Sequence, residues 1–551
     1  MLRLTNPIRS SVVVLILMLT LTLAAQAQQS KLGKVTFPTS GSENAQTHFL
    51  RGLAALHSFW FEEALDEFRE STKSEPDFAM GYWGEAMAYN HPLWAEQDTE
   101  AGRKTIAKVK DSAKMTARER AFIDAVRALY GEGDKLTRDK AYSAAMEKVY
   151  RSYPDDLEAA CFYSLSLLGT VRPGDTGYRR QAQAGAIALD VYLKNPDHPG
   201  AAHYIIHAFD DPEHAIIALP AARRYAEIAP EAHHARHMPA HIFLQLGMWP
   251  EAAASNESAW AVSDAWVKRK SLPISARDYH SLHWLEYVYM QQGRYAKAEE
   301  LMRVKRTDVE QSKGDAGVTR YNDDMLAAFI IETEQWNLAS KLFAAPPAEA
   351  GEAMHAAHNA MPATGSVRAR RGLSISPFAR GLAAAKTGSP DAAKCIAELQ
   401  AIRKKLTDAG ETYPAKSTEI MELEVAATVA ASKGNHAEAI EMMTRATKIE
   451  EEMSPPSGPP SLIKPSHELL GEILLAANRP KDAVKQFETA MLRQPNRARS
   501  LLGLARANAK AGDTKAAAEA YSRLMRQWGQ ADSGLAELRE AQDYLKQARA
   551  N

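Results

Sequence analysis

The chain has few cysteines and no excess of either charge. Only Cys161 and Cys395 occur among 551 residues, and neither stands in a CxxC or CxxCH context. This excludes a disulfide framework, a thiolate zinc site and c-type haem attachment. Lys and Arg number 67 against 68 Asp and Glu, so the sequence predicts no basic surface for nucleic acid or anionic lipid. With 45% hydrophobic residues, the fold must rest on packing of a sizeable core.

Long apolar runs are absent beyond the N-terminus. Arg3 and Arg9 precede the apolar run SVVVLILMLTLTLAA, and the small residues Ala25 and Ala27 stand at its end. This layout predicts a secretory signal peptide over residues 1–27, cut after Ala27, because the run is too short to span a bilayer comfortably. The mature chain is therefore expected in the periplasm or outside the cell, with no stable membrane span.

Several catalytic signatures are also missing from the sequence. It contains no phosphate-binding glycine loop, no nucleotide fingerprint, no Ser, His, Asp arrangement and no HExxH. No catalytic residue is predicted, and a binding function is favoured over an enzymatic one.

What the chain does contain is an internal repeat. In LLGEILLAANRPKDAVKQFETAM and the stretch that follows, three positions recur after 34 residues: Leu470, Ala483 and Phe487 return as Leu504, Ala517 and Tyr521. The same spacing of small, Ala, aromatic and Pro positions occurs near the N-terminus, at Gly52, Ala64, Phe68 and Pro76. This pattern resembles the tetratricopeptide repeat, a helix pair in which small residues let the helices approach an aromatic ring.

The resemblance implies an all-α fold, a right-handed α-solenoid of tetratricopeptide-type helix pairs. The signal and a Pro/Gly-rich stretch divide the chain, and with the resemblance they imply a signal peptide over 1–27, a divergent superhelix over 28–452, a Pro/Gly linker over 453–465 and a C-terminal repeat pair over 466–551. A long loop is predicted over residues 345–365. The stretches YWGEAMAYNHPLW, HYIIHAF and HMPAHIFLQLGMWPEAAA further resemble a group of exported bacterial tetratricopeptide-repeat proteins, for which no catalytic residues carry over.

Two HxxxH pairs stand one repeat period apart. His203 with His207 and His237 with His241 occupy the same offsets, three before and one after the packing residue of their helix. Because successive helix residues rotate by about 100°, these offsets share a face displaced from the packing face. The family resemblance implies that this face lines the concave groove, so the histidines are expected to face the groove and not the core.

Neighbouring polar residues extend this stripe over three or four helices. The further candidate groove residues are Asp210, His234, His280, His283, Tyr287 and Asp324.

Three interpretations of the stripe remain open. Imidazoles spaced i, i+4 can chelate zinc or another divalent transition metal, with His203, His207, His237 and His241 as the candidate ligands of a metal-binding protein or a metal-dependent enzyme. A groove that recognises a protein, peptide or small ligand is the leading interpretation, with a protein or peptide partner and no nucleic acid. A purely structural ladder of hydrogen bonds is the third.

Overall fold

The described part of the chain is almost entirely helical. The computed structural model describes residues 31–343, apart from residues 173 and 176, and residues 372–550. The predicted signal peptide and the predicted loop over 345–365 lie outside these residues. Within them the helices are α1 Glu43–His57, α2 Phe61–Ser74, α3 Ala79–Ala88, α4 Thr99–Ile106, α5 Ala117–Leu129, α6 Lys135–Ser152, α7 Leu157–Leu168, α8 Arg179–Lys194, α9 Pro199–Ala208, α10 Ala215–Ile228, α11 His233–His237, α12 Pro239–Gln245, α13 Trp249–Lys270, α14 Tyr279–Gln291, α15 Tyr295–Gln311, α16 Ala316–Thr319, α17 Asn322–Thr333, α18 Ala339–Leu342, α19 Ile375–Thr387, α20 Asp391–Asp408, α21 Thr412–Ser432, α22 His436–Glu451, α23 Ser466–Ala476, α24 Pro480–Arg493, α25 Ala498–Ala511, α26 Thr514–Gln527 and α27 Ala536–Ala550.

Short irregular elements complete the fold. Three 3₁₀ turns lie at Pro92–Trp94, Ile274–Ala276 and Trp336–Leu338. A two-stranded antiparallel ribbon pairs β1 Asn90–His91 with β2 Glu96–Gln97.

Helices consecutive in the chain pack as hairpins, and each hairpin stacks on the next. The predicted roles of the repeat residues are visible at Phe68 of α2, whose ring fills the space beside α1 and α3. A Cβ atom at Gly52 would lie 2.9 Å from this ring, and one at Gly84 only 2.3 Å from it. These approaches require glycine, since a methyl group there would overlap the ring. The all-α helical-repeat fold predicted from the sequence is confirmed.

Glycines follow the end of the first helix in two of the hairpins. Gly247 has a φ of +65° and Gly293 a φ of +68°. Both values lie in the left-handed region, where side chains with a Cβ atom are strained. These turns fix where α12 and α14 end.

The helix that carries His237 and His241 is interrupted. It divides into α11 and α12 because Pro239 has no backbone N–H to continue the hydrogen-bond ladder. The backbone at Met238 stays in the right-handed helical region, and the N–H of His241 donates to the Met238 carbonyl at 3.1 Å. The axis therefore carries on, and His237 and His241 remain on one side of it.

Two large hydrophobic clusters form the core. One collects residues from Leu32 to Ile242 together with Trp266 and Val267, and the other extends from Ala240 to Ala541. The clusters meet at α12, which contributes residues to both. The two HxxxH pairs therefore stand close to the junction between the clusters.

The segment predicted as a linker packs against the body of the repeat array. Within residues 453–465, the carbonyl of Pro456 accepts a hydrogen bond from Gln245 at 2.8 Å. A Cβ atom at Gly458 would lie 2.4 Å from the ring of Trp284. The division of the chain at this segment stays a prediction. Among the described residues, none of the helices combines the length and apolarity that a membrane crossing requires.

Candidate metal centre

Six of the predicted stripe residues converge as two sets of three imidazoles. Each set can place one ring nitrogen per residue so that the three nitrogens lie within 4.8 Å of one another. We call these sets site 1, formed by His203, His207 and His234, and site 2, formed by His237, His241 and His280.

Site 1 contains nitrogens that are buried and unused. Nδ1 of His203 donates to the backbone carbonyl of His57 at 2.7 Å, which leaves the lone pair of the ring on Nε2. The Nε2 atoms of His203, His207 and His234 are shielded from solvent and make no hydrogen bond to any residue that the structure describes. Leaving one such buried polar atom unsatisfied costs roughly 1–3 kcal/mol. Coordination of an ion through Nε2 would remove this cost.

In site 2 two lone pairs face each other. Nδ1 of His237 donates to Oδ1 of Asn256 at 2.6 Å, and Nδ1 of His241 donates to the Asp210 carboxylate at 2.6 Å. The amide nitrogen of Asn256 donates to the Ala252 carbonyl at 2.9 Å, which fixes Oδ1 as the acceptor. Both Nε2 atoms are then acceptors in the neutral rings, yet they lie only 3.1 Å apart.

The separation of these two nitrogens suits a bound ion. For a transition metal about 2.1 Å from each nitrogen, the N–metal–N angle would be about 95°. Without an ion, a proton shared between the two rings would have to hold them at 3.1 Å. The site is therefore arranged for a positive charge between the rings.

The environment keeps four of these rings unprotonated. Burial, assisted by the neighbouring imidazoles, lowers the pKa of His203, His207 and His234 well below the usual histidine value. Burial and the nearby His241 lower the pKa of His237 to about 3. Neutral imidazole is the form that binds metal, so these four rings are ready to coordinate at neutral pH.

Aromatic side chains from other parts of the repeat array cover the imidazoles. The ring centroid of Phe59 lies 4.3 Å from that of His203, and that of Trp284 lies 4.2 Å from that of His241. His203 and His237 are fully buried, whereas His207 and His280 are partly exposed. The expectation of histidines lining an open groove is thus wrong at this position, because Phe59 and Trp284 close over them. One side, at His207 and His280, remains accessible.

The remaining predicted residues divide into two groups. Asp210 belongs with the imidazoles: it binds His241, and it forms a third candidate ligand set with His207 and His241 within 4.8 Å. Among the described residues, no candidate ligand set of His, Cys, Asp or Glu includes His283 or Asp324, and Tyr287 lies on the same helix as His283.

These three residues have other surroundings. The ring of His283 stacks on Tyr321 with centroids 5.1 Å apart. The hydroxyl of Tyr287 accepts a hydrogen bond from Arg497 at 3.0 Å. Asp324 is partly exposed on α17, and its charge acts on the buried Glu286. The imidazole sets therefore do not extend to this third helix pair, and its role in lining a ligand groove stays a prediction.

Two supporting groups could not be recognised from the sequence. The carbonyl of His57 and the side chain of Asn256 orient His203 and His237, from α1 and α13 respectively. A backbone carbonyl carries no sequence signal, and Asn256 in ASNESA looks like an ordinary polar helix residue. Such partners of ligand imidazoles fix which ring nitrogen is available to a metal.

A fourth ligand-type cluster, His57, Glu158 and His198, is of a different kind. Its carboxylate accepts from Nε2 of His57 at 2.7 Å and lies 3.2 Å from Nε2 of His198. The other ring nitrogens are used as well, by the Tyr204 hydroxyl at 2.8 Å and the Ala201 N–H at 3.2 Å. Burial opposes ionisation, but the two imidazoles hold the pKa of Glu158 well below its usual range. This cluster is a satisfied buried ion pair, with no unused lone pair aimed at a common point.

Comparison with known proteins finds structural similarities at low sequence identity. No protein family and no curated protein matches the chain. Among solved structures, the human IFIT1 dimer with m7Gppp-AAAA is 14% identical, covers 89% of this chain and 91% of its own, and has a TM-score of 0.36. Yeast Tom70 is 10% identical over 92% of this chain and 89% of its own, with a TM-score of 0.32. The TPR domain of P58(IPK) is 16% identical over 72% of this chain and 100% of its own, with a TM-score of 0.21.

Proposed function

We propose that this protein binds transition-metal ions in the buried imidazole centre formed by sites 1 and 2. The observation that carries the proposal is the set of three solvent-shielded Nε2 atoms in site 1, which have no hydrogen-bond partner among the described residues. A purely structural ladder would use these atoms as donors or acceptors, as the His57, Glu158 and His198 cluster does.

The donor set indicates the class of metal. Both sites offer neutral imidazole nitrogens, which suit zinc, copper, nickel and iron, whereas Mg²⁺ and Ca²⁺ prefer oxygen ligands. Three protein ligands leave a coordination position open to water or another small molecule, the arrangement of catalytic and transport sites more than of closed structural ones. The second partners on Nδ1 of His203, His237 and His241 are the kind that hold metal-binding rings in place.

Metal binding was the alternative interpretation of the sequence, and the geometry favours it over a ligand groove at the same residues. Side chains buried against each other cannot contact a peptide unless the repeats separate. Binding of a protein or peptide elsewhere on the repeat array stays a prediction. So does export, because the signal peptide lies outside the described residues.

Metal analysis of the untagged, purified protein tests the proposal. We expect bound zinc, copper, nickel or iron, or, after chelation, an increase in melting temperature when one of these ions is restored. Ions that bind only the folded state stabilise it by about 4 kcal/mol at a concentration 1,000 times the dissociation constant. Protein without metal and without any thermal shift would contradict the proposal.

A pair of matched variants separates this centre from adventitious binding. His203→Gln removes a buried ligand of site 1, whereas His48→Gln removes a partly exposed histidine that pairs with Glu67. We expect the first change to lower metal content or affinity and the second to leave both unchanged. Equal loss in the two variants would indicate nonspecific binding to surface histidines.

A further inference from the structure

Sites 1 and 2 are two copies of one arrangement. Each takes an HxxxH pair from one hairpin and a third histidine from the first helix of the next hairpin. In site 1 the ring centroids are separated by 4.7, 5.0 and 6.4 Å. In site 2 the corresponding separations are 4.9, 4.5 and 6.3 Å. The repeat has therefore built the same three-imidazole geometry twice.

The two copies adjoin each other. The ring centroids of His207 and His241 are 5.6 Å apart, and those of His234 and His237 are 5.9 Å apart. His207 and His241, one from each site, also share a candidate ligand set with Asp210 within 4.8 Å. An ion in site 1 and an ion in site 2 would thus be neighbours on the side where Asp210 and His207 reach solvent.

The arrangement does not continue into a third copy. At the equivalent positions one repeat further on stand His283, Tyr287 and Tyr321. Tyr287 is engaged by Arg497, and the Tyr321 hydroxyl lies 3.3 Å from Nδ1 of His280. The sequence thus supplies imidazoles for two adjacent ions.

Charge determines what must lie between such ions. The imidazole ligands are neutral, and two divalent ions repel each other about four times as strongly as two unit charges at the same separation. The carboxylates bound to histidines of this region are Asp210, which binds His241, and Asp278, which binds His233 at 3.1 Å. Two carboxylates that already have imidazole partners do not neutralise four positive charges. A small anion from solvent can enter at His207 and His280, the partly exposed rings.

We infer that sites 1 and 2 hold a pair of transition-metal ions as one dinuclear centre, bridged by a small anion between His207 and His241. The inference rests on the proposed metal binding and adds to it the number of ions and the class of exogenous ligand. When no other anion is present, a water molecule between the ions loses one proton to solvent and bridges them as hydroxide. Azide, which is small and anionic, is a suitable probe for the same position.

Loading with copper(II) tests the inference. The chelator-treated full-length protein is saturated with copper(II), freed of excess metal, and analysed for copper per chain and for electron paramagnetic resonance intensity. We expect two copper ions per chain and an intensity well below that of two isolated ions, since a bridging anion couples their spins. Azide should alter this spectrum.

Single-site variants provide the matched comparison. His203→Gln in site 1 and His280→Gln in site 2 should each retain one copper ion with the full intensity of one isolated spin, whereas His48→Gln should behave as the unaltered protein. Helicity by circular dichroism identifies any variant that fails to fold, and the unaltered protein alone decides the question in that case.

The outcomes distinguish the two proposals. Two ions with the full intensity of two spins, or a single ion per chain, would overturn the dinuclear centre and leave metal binding intact. No bound copper, together with no other bound transition metal, would overturn both.

Discussion

The side chain of Asn256 offers a sharp test of how the protein prepares His237 for a metal. Asn256 is fully buried, and its Oδ1 accepts the Nδ1 proton of His237 at 2.6 Å. This bond holds the lone pair of His237 on Nε2, the atom that lies 3.1 Å from Nε2 of His241. Replacing the acceptor with an apolar side chain of similar size should therefore affect both folding and metal affinity.

Asn256→Leu leaves the Nδ1 proton of His237 buried without a partner, which costs about 1–3 kcal/mol of folding stability. The ring can respond by moving its proton to Nε2, where it would bond to His241 and block the ligand atom. Loss of such supporting partners typically weakens metal binding by about 10–100-fold, or about 1.4–2.7 kcal/mol. Asn256→Asp retains an acceptor and adds negative charge, so its affinity should equal or exceed that of the unaltered protein.

The assay is competition for zinc against a chromophoric chelator, with denaturant unfolding of the metal-free variants measured in parallel. Asn508→Leu is the control, because Asn508 is a buried asparagine of α25, in the C-terminal repeats. If the folded Asn256→Leu variant bound zinc as tightly as the unaltered protein and the control, the assignment of Asn256 as a positioning residue would be refuted.

Three further predictions concern the repeat array. Burial lowers the pKa of His91 to about 4. Between pH 7 and pH 5 the unfolded chain therefore gains a proton that the folded chain does not, and the free energy of unfolding falls by up to about 2 kcal/mol. Acid unfolding curves of His91→Phe should lack this decrease. Gly503→Val should destabilise the fold by about 1–3 kcal/mol, because a Cβ atom there would lie 2.3 Å from the Phe487 ring. Gly534→Val is the control, since the space around Gly534 is open. Equal melting temperatures of the two variants would contradict the packing argument. Arg497→Met removes the buried cation that Glu332 and Glu468 share, and should cost about 3–5 kcal/mol in urea unfolding. A loss below about 1 kcal/mol would show that Lys464, which pairs with Glu468, and Gln291, which donates to Glu332, suffice for the two carboxylates.

The fold could be predicted because its determinants are local and recur. The small residue and the aromatic ring of a repeat unit lie within one hairpin, as Gly52 and Phe68 do, and the turn glycines require only their own backbone conformation. The break at Pro239 could also have been placed, since proline lacks the N–H that a continuous helix needs.

The site could be predicted only in part. The spacing of His203 and His237 places them on equivalent helix faces, and this suffices to expect neighbouring imidazoles. Their burial could not be foreseen, because Phe59 is about 140 residues away in the chain and reaches His203 only after the superhelix has formed. The same holds for Arg497, whose guanidinium joins Glu332 and Glu468 from separate repeats. Contacts between distant repeats leave no periodic trace in the sequence.

The stacking of helices explains why each site needs a histidine from the next hairpin. Packed helices stand about 8–10 Å apart, whereas two nitrogens on one ion are at most about 4 Å apart. The four histidines of two neighbouring HxxxH pairs therefore cannot all bind one ion, although His207 and His241 share a candidate ligand set with Asp210. A histidine placed three residues before that next pair, one helical turn toward its N-terminus, reaches back across the gap, as His234 does toward His203 with ring centroids 5.0 Å apart. The helix pair α11 and α12 thus serves both sites, giving His234 to one and His237 and His241 to the other, so separating the two sites would require breaking this one element.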